Sequence, residues 1–186
     1  YADPQSGAVT GRIIEEGTEP DVDATKVGRF NIFGRIVGKG NRGSRQKVFV
    51  ETVFGGNMSF RRTVIDQVGL FGTDYVGTAF LEESDFSYRV RRLGHSIVFE
   101  PRAELLHLPQ RLGNADIRGR DYAQWYRDYA HNIMLFSLKN LPRWHIPFVV
   151  SAQVAIAVKH ALLIHRSFSD FLYLLKGLLA GIKTHG

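Results

Sequence analysis

The feature that most constrains the fold is a change of period along the chain. Over residues 48–108, short β-branched runs alternate with brief helical patterns; from about Asp121 onward the sequence is helical throughout. Alternating strands and helices build a layered α/β domain, whereas a long helical pattern packs as a bundle or on a surface. The sequence therefore predicts an α/β portion over residues 1–120 and a helical region over residues 121–186. With 186 residues, 44% of them hydrophobic, the chain can bury one core and carry an appendage.

Within the first region, "GAVTGRII" reads as a strand over residues 7–14, followed by the acidic, turn-rich "EEGTEPDVD". "KVFVETVFGGNMSF" alternates up to Gly55 and Gly56. After it, "RRTVIDQVG" places Val64, Ile65 and Val68 at helical spacing and stops at Gly69. This predicts strand, glycine turn, short strand and helix. Phe86, Val90 and Leu93 fall at i, i+4 and i+7, which predicts a helix over residues 83–93 burying that face. Arg89, Arg91 and Arg92 then face solvent or an anion, and Gly94 takes the position just past the helix end. "HSIVFEP" reads as a strand closed by Pro101, and "AELLHL" continues to His107.

In the second region, residues 146–158 are almost unbroken apolar, but Gln153, Lys159 and His160 keep the run short of the ~20 residues that span a bilayer. An interfacial or bundle helix is predicted.

Cysteine is absent, so disulfides and thiolate metal sites are excluded, and any metal must be held by carboxylate, imidazole or water. Residues 1–100 carry 13 Lys/Arg against 13 Asp/Glu, and residues 101–186 carry 11 against 5, so the excess of +6 lies in the second half. Its cations accompany aliphatic helices without an RNP, KH or helix-turn-helix pattern, which argues against nucleic acid. Cations mixed with Trp144, Phe148, Phe168, Phe171, Leu172 and Tyr173 suit a helix lying in an anionic lipid surface, or a helical hairpin packed on protein, including a second copy in a homo-oligomer.

"GKGNRGSRQK" lacks the spacing of a phosphate loop and reads as a mobile basic loop. The Asn57-Met58-Ser59 sequon falls in an expected core strand of a chain that opens without a leader pattern, so it is taken as chance. The expected location is the cytoplasm, at the inner face of the cell membrane.

Glu82, Glu83 and Asp85 stand together where a helix should begin. Acidic side chains there contribute roughly 0.3 to 1 kcal/mol each against the macrodipole, which accounts for one or two of them. Taken in order, "GGNMSFRR", "VGLFG", "EESDFSYRVRRLGHSIVFEP" and "AELLH" resemble the second half of a family 2 glycosyltransferase with the GT-A fold.

That resemblance implies an inverting, metal-dependent hexosyltransferase of polysaccharide biosynthesis. Its donor would be a nucleotide-sugar and its acceptor a glycan or lipid-linked saccharide. It implies Glu83 as general base, with Glu82 beside it and Asp85 further along the helix. Gly56, Asn57, Arg61 and Arg89 would line the acceptor and donor sites, and His107 would meet a Mg²⁺ or Mn²⁺ ion or the diphosphate. The residues alone leave His107 open as a structural histidine, Asn57 as a turn residue and Arg61 as a surface cation.

The same resemblance places a nucleotide-binding half, ending in an Asp-x-Asp metal motif, ahead of "DPQSGAVTGRI", and so predicts that these residues alone do not transfer sugar. Asp21-Val22-Asp23 lies in an acidic turn rather than after a hydrophobic strand and is set aside as that motif. The competing reading is a non-catalytic glycan-binding or scaffold module of the same fold.

Overall fold

The computed structural model describes residues 1, 3–17, 19, 21, 26–38, 43–108, 122–164 and 168–186. Val22, Asp23 and residues 39–42 of the glycine-rich basic loop lie outside them. The chain divides into two compact units, one of Tyr1–Asn31, Arg35–Phe71 and Glu83–Arg111, the other of Ile32–Gly34, Gly72–Glu82 and Leu112–Gly186. The helical unit thus takes Gly72–Glu82 in addition to the tail that the change of period marks.

The first unit is a mixed α/β layer. Its main sheet has the order β4 (Val48–Phe49), β6 (Ser96–His107), β1 (Ser6–Glu15), β5 (Met58–Phe60). β1 and β6 run parallel, while β4 on β6 and β5 on β1 are antiparallel. A separate hairpin pairs β2 (Arg29–Phe30) with β3 (Ile36–Val37). Two helices belong to this layer, α1 (Arg62–Val68) and α2 (Glu82–Arg92). The α2 face formed by Phe86 and Val90 packs with Ala8, Val53, Val64, Ile97 and Phe99. Phe86 also lies 4.6 Å, centroid to centroid, from both Phe60 and Phe71.

Three local expectations are revised. Leu93 is 49% exposed, because α2 ends at Arg92 and the chain then turns through Gly94, at φ 87°, away from the buried face. β6 runs on through Pro101. Thr10 pairs with Phe99 but Arg12 pairs with Glu104, so residues 100–103 leave the ladder opposite Gly11 alone, and a bulge tolerates proline. "KVFVET" yields only the two-residue β4, because Val50 and Val53 point into the core from irregular backbone.

The helical unit is built on α3 (Tyr122–Asn140), which from Ala130 to Ser137 is buried on every side. α5 (Phe168–His185) packs along it at close range. A Cβ at Gly177 would fall 2.3 Å from the Arg127 carbonyl oxygen, and one at Gly181 2.6 Å from that of His131. Glycines four residues apart are what allow two helix backbones to approach so closely.

α4 (Ile146–Lys159) buries Val149, Gln153 and Ala157. A 3₁₀ turn at Arg143–His145 and a π turn at His160–Ile164 extend it at either end. The continuous helix Arg143–Leu162 is therefore 20 residues long with mean hydropathy 1.3, long and apolar enough by those measures to cross a membrane. The apolar run alone predicts a shorter element; the difference arises because Gln153 faces inward and helical turns flank the run.

Candidate active site

Two buried serines dock α2. The hydroxyls of Ser84 and Thr52 are 2.9 Å apart, and the Val53 N–H donates to Ser87 Oγ at 3.1 Å. The Ser87 hydroxyl in turn donates to the Glu83 carbonyl at 2.7 Å. From the sheet side, Thr10 Oγ1 accepts from the Phe54 N–H at 2.9 Å and donates to the Asn57 carbonyl at 2.8 Å. These bonds fix both ends of the Phe54–Asn57 turn, which closes through the Asn57 N–H on the Phe54 carbonyl at 3.0 Å. Gly56 sits at φ 95°, which L side chains avoid and this turn position requires.

As a consequence, the Glu83 carboxylate lies over Gly55, and a Cβ there would sit 3.7 Å from its Oε1. On its neighbour Gly56, a Cβ would touch Ile13 and Leu105 at 3.8 Å. Ile13 and Leu105 are partners in the parallel pair, two residues short of the ends at Glu15 and His107. The glutamate and the glycine turn therefore gather at the carboxyl ends of parallel strands, where open α/β sheets bind their ligands.

The three carboxylates separate into different roles. Glu82 and Glu83 occupy the first two positions of α2. Burial pushes the Glu82 carboxyl above its ordinary range, so the cause is lost hydration rather than crowding of like charges. Asp85 is buried and pairs with Arg89 Nε at 3.1 Å. Arg89 also donates to the Val68 carbonyl at 3.0 Å and covers the Phe86 ring, so this ion pair ties α2 to the end of α1.

The Asn57 side-chain amide donates to the Arg12 carbonyl at 2.9 Å and the Ala103 carbonyl at 3.0 Å, closing the gap left by the bulge in β6. Arg61 lies toward the amino end of β1, donating to Ser6, Tyr1 and Asp3 carbonyls at 3.0–3.2 Å. His107 is exposed at the carboxyl end of β6, beside Glu15. Glu83, Gly55, Gly56 and Asn57 are thus brought together, His107 shares their end of the sheet, and Arg61 and Arg89 do not join them.

Among the described residues, no three His, Asp or Glu side chains cluster as metal ligands. His107 and its strand partner Glu15 could supply only one imidazole and one carboxylate toward a divalent ion, the rest of the shell having to come from substrate phosphates and water. A cavity of about 480 Å³ lined by Tyr1, Asp3, Val9, Lys47, Val98 and Glu100 lies on the sheet, and none of the three α2 carboxylates borders it.

Sequence reasoning passes over Thr10, Thr52, Ser84 and Ser87. Their signal is a small hydroxyl at a position whose spacing marks it for the core, as Ser87 is between Phe86 and Val90. No protein-family model matches the chain, and no curated protein matches it.

Proposed function

We propose that the chain is the acceptor-side portion of an inverting glycosyltransferase of the GT-A type. It would move a hexose or deoxyhexose from a nucleotide-sugar to a glycan or lipid-linked saccharide. The observation that supports this best is the placement of the Glu83 carboxylate over the side-chain-free Gly55, at the carboxyl ends of parallel strands. A glycine there leaves room for an acceptor hydroxyl within about 3 Å of a base.

In the proposed reaction Glu83 takes the proton of that hydroxyl while its oxygen forms a bond to the anomeric carbon. The bond from that carbon to the diphosphate breaks on the opposite face, and no covalent enzyme intermediate is needed. Glu82, made more basic by burial, supports the local field beside Glu83. A Mg²⁺ or Mn²⁺ ion held by His107 and the donor phosphates would neutralise the leaving group. Asp85 and Arg89 enter this reading as the pair that anchors the base's helix.

The exposed side of the last two helices supports a peripheral membrane site. Trp144, Phe148, Val158 and Leu162 line the outer face of the α4 helix, and Leu172, Tyr173, Leu179 and Ile182 that of α5. Residues 141–186 carry five Lys/Arg and one Asp, the charge balance an anionic leaflet attracts. A lipid-linked acceptor suits such a location.

The test is incorporation of labelled sugar, from a panel of nucleoside diphosphate hexoses and 6-deoxyhexoses, into membrane-extract acceptors by the intact enzyme. Loss of transfer in Glu83→Gln with retained glycan binding is expected; equal transfer would leave the binding-module reading. For the membrane, flotation with anionic liposomes should be lost in the Trp144→Glu/Leu162→Glu double variant and kept in wild type. Removing residues 141–186 would be a poorer test, because α5 is part of the packing of α3.

A further inference from the structure

The segment leading into the acidic pair is held in strained backbone by one face of α3. Resting on the reading of Glu83 as base, we propose that this face is a positioning device for the start of α2, with Asn132 as its central positioning residue.

Ala79 and Leu81 have φ of 52° and 76°, left-handed values at residues with side chains. Each costs on the order of 1 kcal/mol and persists only when its surroundings over-determine it. The surroundings here belong to the same unit. Asp128, Tyr129, Asn132 and Lys139 recur at helical spacing along one side of α3 and meet residues 74–80, with Trp125 stacked behind Tyr129.

At one end Lys139 pairs with Asp74 and covers the Tyr75 ring at 5.5 Å. In the middle Asn132 Oδ1 accepts the Val76 N–H at 3.0 Å while its Nδ2 donates to the Val76 carbonyl at 2.9 Å, as a neighbouring strand would. The Val76 N–H fixes which end of the amide is oxygen. The His131 Nδ1, 3.0 Å from that oxygen, must then be a donor. Next along, Gly77 lies against Asp128, where a Cβ would fall 2.5 Å from Oδ2. At the far end Phe80 stacks on Tyr129 at 5.1 Å, and Tyr129 on Trp125 at 5.3 Å.

The last turn of the segment closes through the Glu82 N–H on the Ala79 carbonyl at 3.0 Å. Position along α3 is thereby carried through two strained residues to the first residue of the catalytic helix. A loop needing only to be covered would not require a matched donor and acceptor on a single residue.

The test compares wild type with Asn132→Ala and the near-isosteric Asn132→Asp, which keeps the acceptor for the Val76 N–H and loses the donor. In the intact enzyme, hydrogen exchange at the Val76 amide should accelerate at least tenfold in Asn132→Ala and less in Asn132→Asp. Transfer should lose at least tenfold in kcat with donor KM changed less than twofold, and Asn132→Asp should recover part of the loss. The Glu82 carboxyl, followed by ¹³C NMR, should titrate closer to an ordinary glutamate as its cover loosens. That last readout needs no substrate, so it stands even if the transferase reading fails. The proposal is overturned if Val76 exchanges faster while kcat and the Glu82 titration both stay unchanged, or if Val76 exchange is unaffected. Should Asn132→Ala not fold, Asn132→Asp carries the same three readouts.

Discussion

Asn57→Asp isolates what holds the parallel pair of the sheet together. The substitution preserves shape but replaces two donors with a carboxylate facing two carbonyl oxygens, those of Arg12 and Ala103, now 2.9 and 3.0 Å from the amide nitrogen. Two neutral hydrogen bonds are worth about 1 kcal/mol each, and leaving part-buried carbonyls without partners adds a penalty of similar size. The loss in unfolding free energy should therefore be about 2–4 kcal/mol at pH 7. Asn57→Ala should lose about 1–3 kcal/mol, since it removes the donors without adding repulsion. Lowering the pH to protonate the new carboxyl restores one donor, so Asn57→Asp should regain stability in acid relative to wild type. Urea unfolding followed by circular dichroism gives the magnitude, and amide exchange in β1 and β6 localises it. A loss under 0.5 kcal/mol, or exchange unchanged in those strands, would refute the assignment of this side chain as the clamp across the bulge.

Three further outcomes follow from the same interactions. Asp85→Ala breaks a buried ion pair and should cost about 3 kcal/mol in unfolding free energy; any activity loss should follow the folded fraction, measured by activity and melting in parallel. Glu82 has its carboxyl pushed up by burial, so its ionised form opposes folding: the cost is absent in acid and appears as pH rises through the folded value. Glu82→Gln should therefore raise the melting temperature at pH 7 and give no gain near pH 3, as thermal scans at both values would show. Gln153 is fully buried and its amide has no hydrogen-bond partner among the described residues, so Gln153→Met should stabilise by about 1–2 kcal/mol in urea titration.

How far the sequence disclosed this arrangement depended on whether a feature is set by local pattern or by distant partners. β1, the stops at Gly69 and Gly94 and the Phe86–Val90 face follow from periodicity and glycine chemistry within a few residues. The passage of β6 through Pro101 was hidden because it needs Gly11 and Asn57, remote in sequence, to absorb the bulge. Grouping the acidic residues at a helix start was legible; their division was not, since Asp85 differs from Glu83 only by where Arg89 and Gly55 fall in three dimensions. The attachment of residues 72–82 to the helical unit was equally hidden, because Asn132 and Lys139 show their role only against Val76 and Asp74. Arg61, a site candidate by motif, instead binds the backbone at the start of β1.

In the proposed reaction the Glu83 carboxylate removes the acceptor's proton. The most direct measurement of this step is the pH dependence of kcat for sugar transfer by the intact enzyme, wild type against Glu83→Gln. Wild type should show an acidic limb set by one carboxylate, and Glu83→Gln should lose at least a thousandfold in kcat together with that limb while its folding is unchanged. Transfer by Glu83→Gln within tenfold of wild type, with the limb intact, would contradict it.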